Sequence, residues 1–134
     1  MTKPLRDDLM VQQQIKGAWQ HMVAVICLNQ TGRKPVKRIL PEFFKRWPTP
    51  HKLLSSTIPE VEDVVRGLGM YKVRAFRIYK MSEQFLTWKG MDAKELYGIG
   101  KYGSDSYEIF FKHNYKVKPD DKELVRYLNE IKSS

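Results

Sequence analysis

A nearly continuous apolar run over residues 19–29 constrains the fold of this chain more than any other feature. The run is longer than an ordinary strand, and this length favours a buried helix. Its cysteine, Cys27, is predicted to be a buried structural thiol, because the sequence suggests no activating base nearby. As the only cysteine, it also excludes an internal disulfide and a four-cysteine zinc or iron–sulfur site within this chain.

Proline residues mark the predicted limits of the next helix. Pro35 is expected to open it, Pro41 predicts a kink or a split inside it, and Pro48 and Pro50 end the segment. Three further helices are predicted over residues 71–86, from 101 to about 113, and from about 119 to 131. The candidate buried positions of the helix over residues 71–86 are Val73, Phe76, Ile78, Tyr79 and Phe85.

Thr57 and Glu60 have the spacing of a capping box and predict the start of another helix. No Asn-Gly or Asp-Gly hairpin signal lies between alternating runs, and no internal repeat is visible. The sequence therefore predicts an all-α fold. We expect a single domain over residues 1–134, with about the first eight residues disordered.

Charge indicates the kind of partner. The chain has 24 Lys and Arg against 15 Asp and Glu, a net charge of +9 that suits a polyanion such as double-stranded DNA. A merely soluble basic protein is an equally good explanation of charge alone. No apolar stretch approaches the ~20 residues that span a bilayer, and no signal peptide is visible. We expect no membrane partner and an intracellular location, nuclear in a eukaryote and in the cytoplasm or nucleoid otherwise.

Residues 96–103 are the most informative stretch for function. Gly98 and Gly100 flank the apolar Ile99, which allows a sharp turn and close approach of the backbone to a ligand. A helix follows at once, and its free N–H groups and dipole suit a DNA phosphate. Taken alone, an ordinary helix–helix turn is the better explanation, because two glycines around an apolar residue are a weak signal.

The segment that follows the turn strengthens the functional interpretation. The order of residues 28–31, 69–75, 98–107 and 119–121 resembles the helix-hairpin-helix-GPD superfamily of DNA glycosylases. Within that superfamily the chain is similar to the glycosylase domain of methyl-CpG-binding domain protein 4. The resemblance implies a compact helical domain without an iron–sulfur cluster and a monomeric DNA N-glycosylase of base excision repair. It implies no cofactor beyond a monovalent cation at the hairpin carbonyls.

The resemblance assigns the chemistry to two residues. Asp121 matches the catalytic aspartate, since a carboxylate stabilises the positive charge that develops on the deoxyribose when the N-glycosidic bond breaks. Asp120 and Asp105 are rival carboxylates, and Asp121 also suits a helix N-cap. Tyr102 stands where bifunctional members carry a lysine that forms a Schiff base. A phenol forms no imine, so the resemblance implies base excision without an efficient strand-cleavage step.

The resemblance also assigns the residues that handle DNA. Gln30 matches the residue that fills the space left by a flipped base, and Met70 matches an apolar wedge between bases. Gln12 matches a glutamine that reads the Watson–Crick edge of a flipped pyrimidine beside Tyr102. Without the resemblance, Met70 is a core residue at a helix start. The remaining predicted DNA contacts are Gly98, Gly100, Gly103, Lys101 and Lys72, with Arg74, Lys34 and Arg33 as further candidates.

Two other functions explain part of the pattern. A noncatalytic helix-hairpin-helix module accounts for the charge and the hairpin, but not for the placement of Gln30, Met70, Tyr102 and Asp121. An all-α protein-interaction domain accounts for the charge alone. The sequence leaves open whether the substrate base is thymine or uracil opposite guanine or a 5-substituted uracil.

Overall fold

The computed structural model describes residues 3–133, and this part of the chain is helical without any strand, which confirms the predicted all-α fold. Its α-helices are α1 (Gly17–Leu28), α2 (Arg33–Arg46), α3 (Pro50–Leu54), α4 (Ile58–Val65), α5 (Tyr71–Phe85), α6 (Lys101–Phe110) and α7 (Lys122–Lys132). Short 3-10 turns cover Val11–Gln13, Arg66–Leu68 and Ala93–Glu95.

Helix α1 is the centre of the fold, as its apolar run predicts. Every residue from 21 to 27 is buried, and α1 packs against α2, α5 and α6. Cys27 is fully buried, and this burial raises the pKa of its thiol to about 12. The thiol is therefore protonated at neutral pH and is a poor nucleophile, in agreement with its predicted structural role.

The N-terminal segment completes helix α2. The helix runs unbroken through Pro41, so the predicted split is wrong. Pro41 has no N–H to donate to the carbonyl of Lys37, and the N–H of Leu5 donates to that carbonyl instead at 3.0 Å. The buried Lys37 ammonium in turn donates to the carbonyls of Leu9 at 2.6 Å and Asp7 at 3.2 Å. Residues 1 and 2 lie outside the described part of the chain.

Two local signals set the helices that follow. The N–H of Thr57 donates to the Glu60 carboxylate at 2.9 Å and the Thr57 hydroxyl accepts from the N–H of Glu60, which confirms the capping box. Helix α3 is absent from the sequence prediction, because Pro48 and Pro50 indicate an end. Pro50 instead occupies the first turn of α3, where a missing N–H is harmless.

Helix α5 buries only part of the predicted face, with Tyr79 and Phe85 half-buried. Ile78 is fully buried, but Val73 and Phe76 are 42% and 41% exposed, so their predicted burial is wrong. The inward face begins instead with Arg74 and Ala75. The buried residues of α5 form one stripe centred on Ile78, and at about 100° per residue Val73 and Phe76 lie on the opposite side of the helix.

Candidate active site

Four separate segments of the chain enclose one polar cavity of about 260 Å³. They are the turn at residues 10–12, the loop between α1 and α2, the start of α6, and the start of α7. The cavity brings together four of the predicted site residues, Gln12, Gln30, Tyr102 and Asp121. The lining residues are Met10, Val11, Gln12, Leu28, Asn29, Gln30, Thr31, Arg33, Tyr102, Asp121 and Glu123.

Asp121 lies at the N-terminus of α7 and faces this cavity. Its Oδ2 accepts a hydrogen bond from the N–H of Leu124 at 3.0 Å, which is the N-cap contact that the sequence allows. Within residues 3–133 this is the only hydrogen bond to the carboxylate, so Oδ1 has no protein partner there. One oxygen therefore fixes the side chain and the other is free to act in the cavity.

The two rival carboxylates lie outside the cavity lining. Asp105 Oδ2 accepts from the Lys101 ammonium at 2.7 Å, and the Asp120 side chain is 87% exposed. Among the three candidates only Asp121 combines a fixed orientation with a place in the cavity wall.

Tyr102, in the first turn of α6, also lines the cavity. Its hydroxyl accepts a hydrogen bond from Gln12 Nε2 at 2.6 Å. Burial, and secondarily the Asp121 carboxylate, raises the pKa of the Tyr102 phenol well above its usual value. The hydroxyl is thus neutral and presents a polar tip on an aromatic wall.

Gln12 is held from behind by two residues that the sequence prediction does not contain. Its Nε2 lies 3.3 Å from Ser106 Oγ, and Ser106 Oγ lies 2.7 Å from His21 Nε2. Burial lowers the pKa of His21 to about 3, so this imidazole is neutral. The sequence signal for His21 is its polar ring inside the apolar run over residues 19–29. By itself, this pattern indicates only a buried histidine.

Backbone strain marks the two residues predicted to enter DNA. Gln30 has φ 59° and Met70 has φ 47°, in the left-handed region that disfavours side chains. Within the described chain only His113 is another non-glycine residue with positive φ. Met70 is also 52% exposed. Its predicted alternative as a core residue is therefore wrong, whereas exposure and strain are typical of a residue held ready for a ligand.

Arg74 holds both strained loops, and its predicted phosphate contact is wrong because only 3% of the residue is exposed. Its guanidinium donates to the carbonyl of Gly69, beside Met70, at 2.9 Å. It also donates to the Thr31 hydroxyl, beside Gln30. Two further bonds of 2.9 Å reach the last-turn carbonyls of α1, those of Ile26 and Cys27. One buried side chain thus connects the end of α1 with both loops.

The hairpin turn has the predicted form. Gly98 has φ 80° and Gly100 is the N-cap of α6, so the free N–H groups of that helix point out of the turn. Gly103 is buried, and a Cβ there would lie 2.7 Å from Val25 Cγ1 and 2.8 Å from Ile99 Cγ2. Gly103 therefore permits close packing of α6 on α1. Its contact with DNA, like that of Gly98 and Gly100, stays a prediction.

The two predicted phosphate lysines have different surroundings. The Lys101 ammonium donates to Asp105 and, at 2.8 Å, to the carbonyl of Lys118, which joins α6 to the loop before Asp121. Lys72 is exposed next to Met70, on a small apolar patch with Tyr71 and Val73.

Across residues 3–133 no group of His, Cys, Asp or Glu side chains is arranged to hold a metal ion. No helix there is long and apolar enough to cross a membrane.

A glycine hairpin, two strained loops and an aspartate in a polar cavity agree with a helical protein of the DNA base-excision class. Residues 23–134 match the family model of the HhH-GPD superfamily base excision DNA repair proteins. The chain belongs to this family, as the order of its motifs predicts.

Individual relatives agree with this assignment. The chain is 25% identical over 126 residues to a methyl-CpG-binding domain protein 4-like protein of Arabidopsis thaliana, covering 93% of this chain and 28% of that protein. It is 31% identical over 121 residues to a thymine/uracil-DNA glycosylase of Pyrobaculum aerophilum, covering 84% and 52%. A solved thermostable thymine-DNA glycosylase has the same fold, with a TM-score of 0.77 at 19% identity over 92% of this chain and 59% of that one. The chain thus spans about half or less of the length of these two sequence relatives.

Proposed function

We propose that this chain is a monofunctional DNA glycosylase that flips a mismatched or modified pyrimidine out of duplex DNA and hydrolyses its N-glycosidic bond. The substrate base is thymine or uracil opposite guanine, or a 5-substituted uracil. The observation that carries this proposal is the Asp121 carboxylate, fixed by Leu124 through one oxygen and open to the cavity through the other. Family membership and the two glycosylase relatives support it.

Asp121 supplies the chemistry. As the bond between base and sugar breaks, positive charge develops on the deoxyribose, and the nearby carboxylate stabilises it. The same group orients or deprotonates the attacking water, a role worth about 10²- to 10⁴-fold in rate. Its cap bond to Leu124 keeps the carboxylate in place before the substrate arrives, so little reorganisation accompanies the reaction.

The cavity wall favours water over an amine as the nucleophile. Tyr102 occupies the wall and has no amine. Lys101, one residue away, is bound to Asp105 and to the Lys118 carbonyl. The hydrogen bond to Asp105 raises the pKa of Lys101, which keeps its amine protonated and unreactive. We therefore expect an intact strand with an abasic site as the product.

DNA handling is divided between the two strained loops and the hairpin. Gln30 fills the space left by the flipped base and Met70 enters between bases. The N-terminus of α6 after Gly100 meets a phosphate, with Lys101 and Lys72 beside it. The partner that we propose is double-stranded DNA, bound by a single copy of the chain.

A panel of duplexes tests the proposal. Each carries thymine, uracil, a 5-substituted uracil or an ordinary base opposite guanine, and the readout is alkali-labile abasic sites. We expect release of the mismatched or modified pyrimidines only. Retardation of DNA with no release from any duplex would instead identify a noncatalytic DNA-binding module.

A further inference from the structure

A buried polar chain leads from the cavity wall into the core. Gln12 Nε2 donates to the Tyr102 hydroxyl at 2.6 Å and to Ser106 Oγ at 3.3 Å. Ser106 Oγ in turn lies 2.7 Å from His21 Nε2. Gln12, Ser106 and His21 are 6%, 0% and 1% exposed, and only Gln12 and Tyr102 reach the cavity. Polar side chains that are buried this deeply depend on hydrogen bonds within the protein, because water does not reach them.

The partners along this chain determine where its protons lie. Ser106 has one hydroxyl proton, and Gln12 already presents its amino group to the serine oxygen. Among the described residues the remaining acceptor for that proton is His21 Nε2. His21 Nε2 is therefore unprotonated, and the neutral imidazole carries its proton on Nδ1. The chain runs in one direction, from Gln12 through Ser106 to His21.

His21 is an unfavourable choice for packing alone. Its Nδ1 is the one fully buried side-chain polar atom without a hydrogen-bond partner in residues 3–133. Such an atom loses its hydration without compensation, whereas an aliphatic side chain at the same place would not. The bond to Ser106 is the one polar contact that the ring makes there.

The same chain decides what Gln12 offers to the cavity. Its Nε2 is turned toward Tyr102 and Ser106. Its Oε1 has no hydrogen-bond partner in the described chain and is not among the fully buried atoms, so it is open to the cavity that Gln12 lines. The cavity therefore presents a hydrogen-bond acceptor at this point.

We infer that His21, acting through Ser106, is a positioning residue: it fixes the Gln12 amide with its oxygen toward the cavity, so that the amide can accept only from a base with an N–H at ring position 3. The inference rests on the proposed function and names the residues that make the cavity select its substrate class. Uracil and thymine bases carry that N–H and donate it to Oε1. Cytosine bases have a lone pair at position 3, which the same oxygen repels and leaves unpaired.

Binding to duplexes that resist cleavage tests the selection without catalysis. The probes carry 2′-fluoro-2′-deoxyuridine or 2′-fluoro-2′-deoxycytidine opposite guanine, and a tetrahydrofuran abasic duplex is the control. The unmodified protein should prefer the uridine duplex by at least about tenfold. Ser106→Ala and His21→Leu should lose most of that preference and keep their affinity for the abasic duplex. His21→Gln should restore it, because its amide oxygen supplies an acceptor near the place of Nε2.

Each result decides the inference. It is overturned if the unmodified protein shows no preference, if Ser106→Ala and His21→Leu keep the preference, or if they lose abasic-duplex affinity equally. Thermal melting of each variant shows that it is folded. A protein that releases no base from any duplex contradicts the proposed function, whereas the binding preference still decides the role of His21.

Nuclear magnetic resonance provides a readout that does not depend on DNA. In protein with ¹⁵N-labelled histidine and with His51→Gln and His113→Asn, the one remaining ring is His21. We expect the tautomer protonated at Nδ1, unchanged from about pH 5 to about pH 8. Ser106→Ala should shift the Nε2 resonance. Protonation at Nε2 would reverse the chain, present the Gln12 amino group to the cavity and overturn the inference.

Discussion

Gln12 and Tyr102 lie 90 positions apart in the sequence, and their side chains are joined by a hydrogen bond of 2.6 Å. This contact places the turn at Val11–Gln13 against the start of α6 and makes it part of the cavity wall. Met10 and Val11 line the same wall. The site therefore depends on the segment before α1 as much as on the hairpin, although the hairpin carries the stronger sequence signal.

Asp121→Asn should abolish base release and leave both DNA affinity and stability nearly unchanged. Asparagine caps a helix about as well as aspartate, so the contact with Leu124 survives while the negative charge is lost. The expected loss is at least about 10²-fold in the single-turnover rate. Asp121→Ala should lose the same activity and in addition about 1 kcal/mol of unfolding free energy, because the cap is removed.

Asp105→Asn is the matched control for Asp121. Asp105 lies in α6 and binds Lys101 instead of lining the cavity. We expect this variant to keep most of the base-release rate. An equal loss of activity in the two variants would contradict the assignment of Asp121.

Tyr102→Lys should convert part of the activity to covalent chemistry. The substitution places an amine in the cavity wall, where burial favours its neutral, nucleophilic form and the neighbouring Asp121 opposes this. Borohydride should then trap a protein–DNA complex that the unmodified protein does not form above background. Tyr102→Phe, which keeps the ring, is the control and should trap none. Efficient trapping by the unmodified protein would refute the monofunctional assignment.

Salt dependence should distinguish the lysines that face DNA. Lys72 is exposed beside Met70, and Lys72→Gln should flatten the dependence of log affinity on log salt by about one unit, since one phosphate contact is lost. Lys80→Gln removes an exposed lysine farther along α5 and should leave the slope unchanged. Lys101→Gln is also expected to flatten the slope. The change should be smaller than for Lys72, because the Lys101 ammonium is already bound to Asp105 and to the carbonyl of Lys118. An unaltered slope for both Lys72 and Lys101 would contradict a DNA-facing surface here.

His21 should make the stability of the protein dependent on pH. Its pKa is lowered from 6.5 to about 3 by burial, so between these values the unfolded chain binds a proton that the folded chain does not. The stability that the neutral His21 provides is fully present above pH 6.5. The free energy of unfolding then falls by roughly 1.4 kcal/mol per pH unit as the pH falls toward 3. Denaturant unfolding of His21→Leu should show a flatter profile over this range. Parallel profiles for the two proteins would contradict a buried neutral His21.

Local signals in the sequence were sufficient for much of the fold. The apolar run predicts α1, and the spacing of Thr57 and Glu60 predicts the start of α4, because each depends on neighbours within a few positions. The split expected at Pro41 was wrong for the opposite reason. The carbonyl that it leaves unpaired is satisfied by Leu5, more than thirty positions away, and no local pattern contains that contact.

Some residues of the candidate site could likewise be predicted from the sequence, and others could not. Asp121 and Tyr102 follow from the order of the motifs, and their place in one cavity agrees with that order. Arg74 was expected to meet phosphate because its charge is visible in the sequence, whereas its carbonyl partners are not. His21 was hidden among apolar neighbours. Arg74 and His21 act through hydrogen bonds to residues far away in the sequence, and no local pattern contains those contacts.

Thr31→Val tests whether Arg74 controls the two strained loops. Valine keeps the shape of threonine but removes the hydroxyl that accepts from the Arg74 guanidinium, so the loop with Gln30 loses this attachment. The contacts of Arg74 with Gly69, Ile26 and Cys27 do not involve Thr31 and should remain.

We expect Thr31→Val to cost about 1 kcal/mol of unfolding free energy and to slow single-turnover base release several-fold, because Gln30 is less often in its inserted conformation. Affinity for undamaged duplex should change little, since the hairpin and Lys72 are untouched. Arg74→Lys should have larger effects on both stability and base release, because an ammonium cannot reach the carbonyl of Gly69 and the hydroxyl of Thr31 with the planar geometry of guanidinium. A Thr31→Val protein with an unchanged base-release rate would show that the Arg74 contact supports the fold alone.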